Sequence, residues 1–254
     1  MGKVVSNDIS ILFLITARGG SKGVPNKNLK KVGGLSLTGY KAISAQNCAY
    51  CKHLILSTDS EDIRTEGLSL GLDVPFIRPG ELATDTASSD SVVKHAMNWV
   101  EHNHKEPFDA IMLLEPASPF ATAEHYERAI ELFITQKAEL VVGVREMETP
   151  SSFVGNLSKK NSISNIVTKI RNMTKLRRQD QETEVTMNGT FYLIDWQAFK
   201  QTGRIYNDPD KCYGILMDRW HSVEIETPED LVFAEFLIEK GYINMQPWTK
   251  AEKS

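Results

Sequence analysis

Apolar residues along the chain fall into short continuous runs, separated by stretches in which they recur every three or four positions. The first run, Ser10–Ala17 (SILFLITA), is apolar at consecutive positions, as a strand buried on both sheet faces requires. Helical spacing follows over Leu37–Ala49, and His53–Ser57 (HLILS) is a second short strand. A helix is predicted from Glu61 to Leu70, where Gly71 stops it, and a third strand at Val74–Ile77. Asp90–His102 places Val93, Met97 and Val100 on one helical face. Ala110–Leu114 reads as a strand, Ala123–Gln136 as a helix and Leu140–Val144 as another strand. Alternation of this kind predicts an α/β protein: βαβ units, a mainly parallel sheet and helices on both faces.

Between Arg145 and Glu184 the rhythm breaks. The stretch is rich in Ser, Asn, Thr and Lys, with short β-like pieces such as Asn165–Ile170. Strand texture returns at Phe191–Ile194, so residues of about 146–188 are expected to form a small β-containing insertion within a single domain spanning 1–254. The last helix opens at Thr227-Pro228-Glu229-Asp230, with a Thr cap, Pro at the first position and acids in the first turn, and runs to Gly241.

Composition narrows the function without assigning it. The chain has 254 residues, 41% hydrophobic and 24% charged, with a net charge of −4. No basic run provides a footprint for nucleic acid, and no apolar stretch approaches the ~20 residues of a membrane span. The first ten residues lack the apolar core of a signal peptide, so a cytoplasmic enzyme is expected. Cys48 and Cys51 form a lone C-A-Y-C, with Cys212 distant, and no second CxxC completes a zinc site. Reduced cysteines packed at a helix end are the expectation. His102 and His104 read as solvated surface.

The chemistry concentrates after the first strand, in Ala17-Arg18-Gly19-Gly20-Ser21-Lys22-Gly23-Val24-Pro25-Asn26-Lys27-Asn28. Ligands of open α/β sheets bind beyond the carboxyl ends of the strands. Glycines there let backbone amides approach an anion, and Arg18, Lys22 and Lys27 add positive charge. The pattern is neither a Walker A sequence nor GxGxxG. It suits a loop that wraps a polyphosphate.

With these residues in view, ARGGSKGVPNKN resembles the nucleotide-binding signature of the CMP-sialic acid synthetases (acylneuraminate cytidylyltransferases). Further landmarks follow in the same order: Leu56–Ser60, Arg78–Ser89 (RPGELATDTASS), Pro116–Pro119, Arg177-Arg178-Gln179, Asn188-Gly189 and Val223–Leu231 (VEIETPEDL). The resemblance implies a Rossmann-like fold of the nucleotide-diphospho-sugar transferase type, with the insertion as a dimerisation element. It implies transfer of CMP from CTP to the anomeric hydroxyl of a nonulosonic, sialic-acid-like 2-keto sugar acid, releasing pyrophosphate, by a homodimer. By the same similarity Lys27 and Arg18 are the catalytic candidates. Arg18, Gly19, Gly20, Ser21, Lys22 and Asn28 are expected to hold the nucleotide's phosphates, and Arg78, Ala87 and Ser89 to face the cytosine. Ser88 and Ser89 also suit the start of a helix, and Asp59 suits either a helix cap or the site.

Two departures from the family's pattern shape the expectations. The usual Asp-x-Asp metal pair is Glu224-x-Glu226 here. On a strand, residues two apart share a face, so both carboxylates would point to the site while Val223 and Ile225 enter the core. Mg²⁺ is the expected ion, with Mn²⁺ as an alternative. The family's Gln-Pro-Thr-Ser-Pro-Leu-Arg-Thr is Glu115-Pro116-Ala117-Ser118-Pro119-Phe120-Ala121-Thr122, which changes the sugar-recognition Gln to Glu115 and an Arg to Ala121. An acidic Glu115 accepts from hydroxyls and repels a carboxylate, so an acceptor other than N-acetylneuraminate is expected, such as legionaminate or pseudaminate. Arg178, Gln179, Asn188 and Tyr192 complete the implied sugar site. Rival readings keep the fold and use GTP or an eight-carbon Kdo-like acid, or make the protein a silent nucleotide-binding homologue.

Overall fold

The computed structural model describes residues 9–104, 107–172 and 183–249. Its strands are β1 (Ile11–Thr16), β2 (Lys31–Val32), β3 (Leu35–Ser36), β4 (His53–Ser57), β5 (Ala110–Leu114), β6 (Leu140–Glu146), β7 (Val185–Asp195) and β8 (Cys212–Leu216). Its α-helices are α1 (Leu37–Gln46), α2 (Glu61–Ser69), α3 (Ser89–Asn103), α4 (Ala123–Gln136), α5 (Ser164–Arg171), α6 (Trp196–Thr202) and α7 (Pro228–Glu239). The main sheet has the order β4-β1-β5-β7-β6-β8, and β2 pairs with β3 in a separate hairpin. β7 runs antiparallel to both of its neighbours, while the β1–β4, β1–β5 and β6–β8 pairs are parallel.

The continuous apolar runs have the role their pattern predicts. Ile11, Phe13 and Ile15 of β1 enter one core with α4 residues Tyr126, Ile130 and Phe133. Leu12 and Leu14 enter a second core with Val93, Met97 and Val100 of α3. A strand that buries both faces has no polar alternation to offer, which is why SILFLITA is apolar throughout.

Three local expectations are corrected. Val74–Ile77 is not a strand: only the isolated parallel bridges Thr58↔Ile77, within it, and Ile55↔Asp73, just before it, are formed, since Pro75 has no N–H for a ladder. Asn165–Ile170 is not β-like but lies within α5. Ile166 and Ile170, four apart, are the partly covered residues of that helix, whereas Val167 is exposed. The insertion joins the ends of β6 and β7, where Glu146 pairs with Val185; its described residues hold these strand ends and α5 between them. Val223–Glu226 is extended coil without strand pairing.

A third core lies outside α1 and supports the end of the chain. Trp248, 3% exposed, meets Tyr40 edge-on at 5.1 Å and Phe120 at 6.1 Å between ring centroids. Its Nε1 donates to Ser44 Oγ at 2.6 Å. Cys48 and Cys51 follow α1 as free thiols, and burial pushes the Cys48 thiol up to about 11. No helix among the described residues is long and apolar enough to cross a membrane. Trp248→Ala removes a buried aromatic from three partners, so it is expected to cost about 3–5 kcal/mol, read as a lower urea midpoint with an unchanged slope.

Candidate active site

β1 has β4 on one side and β5 on the other, so successive crossovers leave it in opposite directions. This is the switch point at which open α/β sheets form a crevice. A cleft of about 350 Å³ opens there, lined by the loop after β1, the Arg78–Ser89 segment, the end of β5 and Glu224 and Glu226.

The loop after β1 is folded on itself by its own polar groups. Asn28, 5% exposed, donates from Nδ2 to the Arg18 carbonyl at 2.9 Å. Thr38 Oγ1 donates to the Asn28 carbonyl at 2.9 Å. Asn26 takes the left-handed conformation at φ 53°, which Asn tolerates better than most residues, and this turns the chain into Lys27. Pro25 precedes that turn and Val24 anchors it in the core. Gly23 lies so close to the Glu226 carbonyl that a Cβ would stand 2.3 Å from its oxygen; only glycine lets these two backbones meet.

Lys27 is the link between the loop and the acidic segment. Its Nζ donates to the Ile225 carbonyl at 2.7 Å and to Glu226 Oε1 at 3.0 Å. Ile225 is fully buried, and its N–H donates to the Ala117 carbonyl at 2.7 Å. Glu224 and Glu226 therefore line the cleft on either side of a buried Ile225, although no strand sets the alternation. Asp230 holds the far end, accepting from the Glu226 and Thr227 amides at 2.9 and 2.8 Å.

Arg18 and Lys22 converge on one carboxylate. Asp85 takes Arg18 Nη1 at 2.8 Å and Lys22 Nζ at 2.5 Å, and these partners, Lys22 foremost, hold its carboxyl below the ordinary value. On the opposite wall Arg78 is 4% exposed. Among the described residues its Nε and Nη2 have no hydrogen-bond partner, and Asp59 approaches Nη2 only to 3.6 Å. Unpartnered guanidinium donors facing a cleft are costly to keep, and they suit a ligand with acceptor atoms. Burial works against the Arg78 charge and Asp59 supports it.

Most of the predicted residues come together: Arg18, Ser21, Lys22, Lys27, Asn28, Arg78, Ala87, Ser89, Glu115, Glu224 and Glu226 all line the cleft. Gly19 and Gly20 do not. The Gly19 amide already donates to Asp59 Oδ1 at 3.0 Å, and Gly20 is exposed. Asn188 is engaged inside the protein, donating to Ser222 Oγ at 2.9 Å and accepting from Thr190 Oγ1 at 2.7 Å. It lines an adjoining cleft that shares Glu224. Tyr192 is partly exposed beside Tyr206, its phenol raised by burial and by the Glu115 charge. Ala121 is fully buried in the core and does not face the cleft, so Glu115 alone carries the departure from the sugar motif. Arg177, Arg178 and Gln179 lie outside the described residues.

Sequence reasoning missed two contributors, Asp85 and Lys41, and left Asp59 open between a helix cap and the site. Asp85 sits inside the quoted Arg78–Ser89 segment, yet its pairing with a loop sixty residues earlier has no local signal. Asp59 serves the site because Ser60, not Asp59, caps α2. Ser88 likewise caps α3, which frees Ser89 to donate to Glu115 Oε1 at 3.4 Å. Lys41 is wholly buried in α1 and reads in sequence as an ordinary surface lysine.

Known proteins resemble this chain in fold and in sequence. A solved structure of CMP:2-keto-3-deoxy-manno-octonic acid synthetase complexed with CTP superposes with a TM-score of 0.65 at 13% identity, covering 91% of this chain and 99% of that one. That likeness defines the fold, an α/β architecture around a mostly parallel sheet. The family model described as cytidylyltransferase matches residues 12–206, and the chain belongs to that family. It is 31% identical over 91% of its length to post-translational flagellin modification protein B of Campylobacter coli, covering 95% of that protein. It is 30% identical over 90% of its length to CMP-N,N'-diacetyllegionaminic acid synthase of Legionella pneumophila, covering 96% of it.

Burial, and then the neighbouring Glu226 charge, raise the Glu224 carboxyl above its ordinary value. Ionising Glu224 therefore opposes folding, and stability from this group falls as pH rises through the raised value. Glu224→Gln is expected to raise the melting temperature at neutral pH, with the gain shrinking as pH falls and vanishing at about pH 3, below the ordinary Glu value, where Glu224 is protonated in both states; thermal melts at the two pH values measure it.

Proposed function

We propose that the protein transfers CMP from CTP to the anomeric hydroxyl of a nonulosonic acid other than N-acetylneuraminate, releasing pyrophosphate. The observation that carries this is the polarity of the cleft: Arg18, Lys22 and Lys27 at the end of β1, with Glu115 and Glu224 beyond them. A triphosphate matches the cationic end, where it would take over the positions at which Asp85 and Glu226 now neutralise Arg18, Lys22 and Lys27. Arg78 offers free donors to a base rich in acceptor atoms, as the carbonyl oxygen and ring nitrogen of cytosine are.

Attack at the α-phosphate spreads charge over the transferring group and the departing pyrophosphate, and fixed cations stabilise that charge without reorganising at the moment of reaction. Lys27 is anchored by the Ile225 carbonyl, so its ammonium stays in place when it exchanges Glu226 for a phosphate oxygen. The Legionella relative's name supports an acceptor of the legionaminate kind, and Glu115 supports one that presents hydroxyl or amide donors.

A divalent ion fits the acidic pair. Glu224 carries a raised carboxyl without a bonded partner cation among the described residues, and Mg²⁺ is commonly held by one or two carboxylates plus substrate phosphates. Glu224 and Glu226 would hold it, and when bound it supplies charge neutralisation to the phosphates. The exposed Phe153, Val154, Leu157, Ile163 and Val167 of the insertion support its use as a homodimer contact.

The test is pyrophosphate release from CTP and Mg²⁺ with a panel of nonulosonic acids. One acid of the legionaminate or pseudaminate type is expected to turn over, and Lys27→Ala to lower kcat by about 10²–10³-fold. Equal turnover of N-acetylneuraminate would overturn the acceptor assignment, and release with GTP alone the donor assignment. Glu224→Gln is expected to raise the Mg²⁺ concentration for half-maximal rate by at least about tenfold; an unchanged value in a metal titration excludes it as a ligand.

A further inference from the structure

Lys41 is a lysine without exposure, held in the middle of α1. Burying an ammonium group is costly unless charge and hydrogen bonds offset it. Among the described residues its hydrogen bond is to the Thr190 carbonyl, at 2.7 Å; burial pushes its ammonium down to about 7, and the Glu115 charge opposes that shift. The sheet register brings the two ends together. β5 and β7 pair up to Leu113↔Tyr192, so continuing the ladder by two residues would set Glu115 opposite Thr190. The ladder itself ends two residues short of that pair. Lys41 thus takes the carbonyl at the point where β5 and β7 part, beneath the floor of the cleft that Glu115 lines.

Glu115 has the complementary difficulty. It is a largely buried carboxylate whose hydrogen bond comes from Ser89 at the long distance of 3.4 Å, and it lies near the like charge of Glu224. Lys27 also acts on it, but Lys27 is committed to Ile225 and Glu226. Of the two lysines, Lys41 is the one with no carboxylate of its own.

We propose that Lys41 is a positioning residue for the acceptor end of the cleft: from below, it supplies the countercharge that lets Glu115 remain an ionised hydrogen-bond acceptor, and through Thr190 it fixes β7 against β5. The pair then sets which sugar acids are accepted. A carboxylate at residue 115 takes hydroxyl or amide protons from the acceptor, whereas a neutral amide there would donate as well. This role in specificity rests on the cytidylyl transfer proposed above; the coupling of the two residues does not.

The experiment is a double-mutant cycle with Lys41→Met and Glu115→Gln on the full chain, read by thermal melting and by steady-state kinetics. Lys41→Met leaves Glu115 buried without its countercharge. It is expected to lower the melting temperature by more than about 3 °C and to raise the KM for the sugar acid by about tenfold or more, with the KM for CTP changed less than about twofold. Adding Glu115→Gln is expected to recover at least half of the lost melting temperature, because removing both charges of a buried pair is far milder than removing one. Additive effects on the melting temperature would overturn the pairing and reduce Lys41 to a packing role. A KM for CTP that rises in parallel with that for the sugar would overturn the acceptor-end assignment. Should Lys41→Met fail to fold, Lys41→Gln takes its place in the same cycle, and additive melting temperatures there overturn the pairing. If no acid turns over in the wild type, the cycle in melting temperature still tests the pair, so failure of the proposed function is distinguished from failure of this inference.

Discussion

The contact on which the site depends is the junction between the loop after β1 and the segment before α7, about two hundred residues apart in the chain. Two features make it. Gly23 lets its backbone come against the Glu226 carbonyl where any Cβ would collide, and Lys27 reaches through to the Ile225 carbonyl. The second contact uses a charged donor on a buried backbone acceptor, which is among the stronger hydrogen bonds a protein makes. Because Ile225 is itself fixed by the core and by Ala117, the lysine is held at a set depth, and the two glutamates are presented on the rim of the same cleft.

Charge in this cleft is balanced internally before any ligand arrives. Asp85 holds Arg18 and Lys22, and Glu226 holds Lys27. Such pairs at a partly exposed rim contribute little to stability, so an incoming polyanion can replace them at small cost. The deeper groups differ. Arg78, Glu115, Glu224 and Lys41 are buried to degrees that shift their protonation toward the neutral form. Charges kept under that penalty are characteristic of a site and not of a scaffold, and here they lie together at the switch point of the sheet.

The surrounding structure is arranged to hold this geometry from both sides. β1 and β5 bury both faces, so neither can slide without moving a core. β7 is antiparallel to its neighbours and turns at Gly189, at φ +66°, just before it reaches the floor of the cleft. The aromatic group of Tyr40, Phe120 and Trp248 braces the outside of α1, the helix that carries Lys41.

Much of this was legible in the residues. The apolar runs specified the strands of a two-faced sheet, and the glycines and cations after the first strand marked the cationic end of the cleft, because burial and clustered positive charge each demand particular residue types over a short span. What was misread failed for local reasons: Pro75 denied a ladder to an apolar run, and Ile166 and Ile170, four apart, made a helix of a segment that looked β-like. The pairings were not legible. That Asp85 neutralises Arg18 and Lys22, that Asp59 takes the Gly19 amide, and that Ala121 points into the core and not at the ligand follow from register and crossing, which no local pattern encodes. The sequence by itself determined the periodicity, the caps and the chemical inventory of the loop. Only the tertiary structure decided which charges face one another, because a charge interaction depends on distance and burial, and both are set by segments that are far apart along the chain.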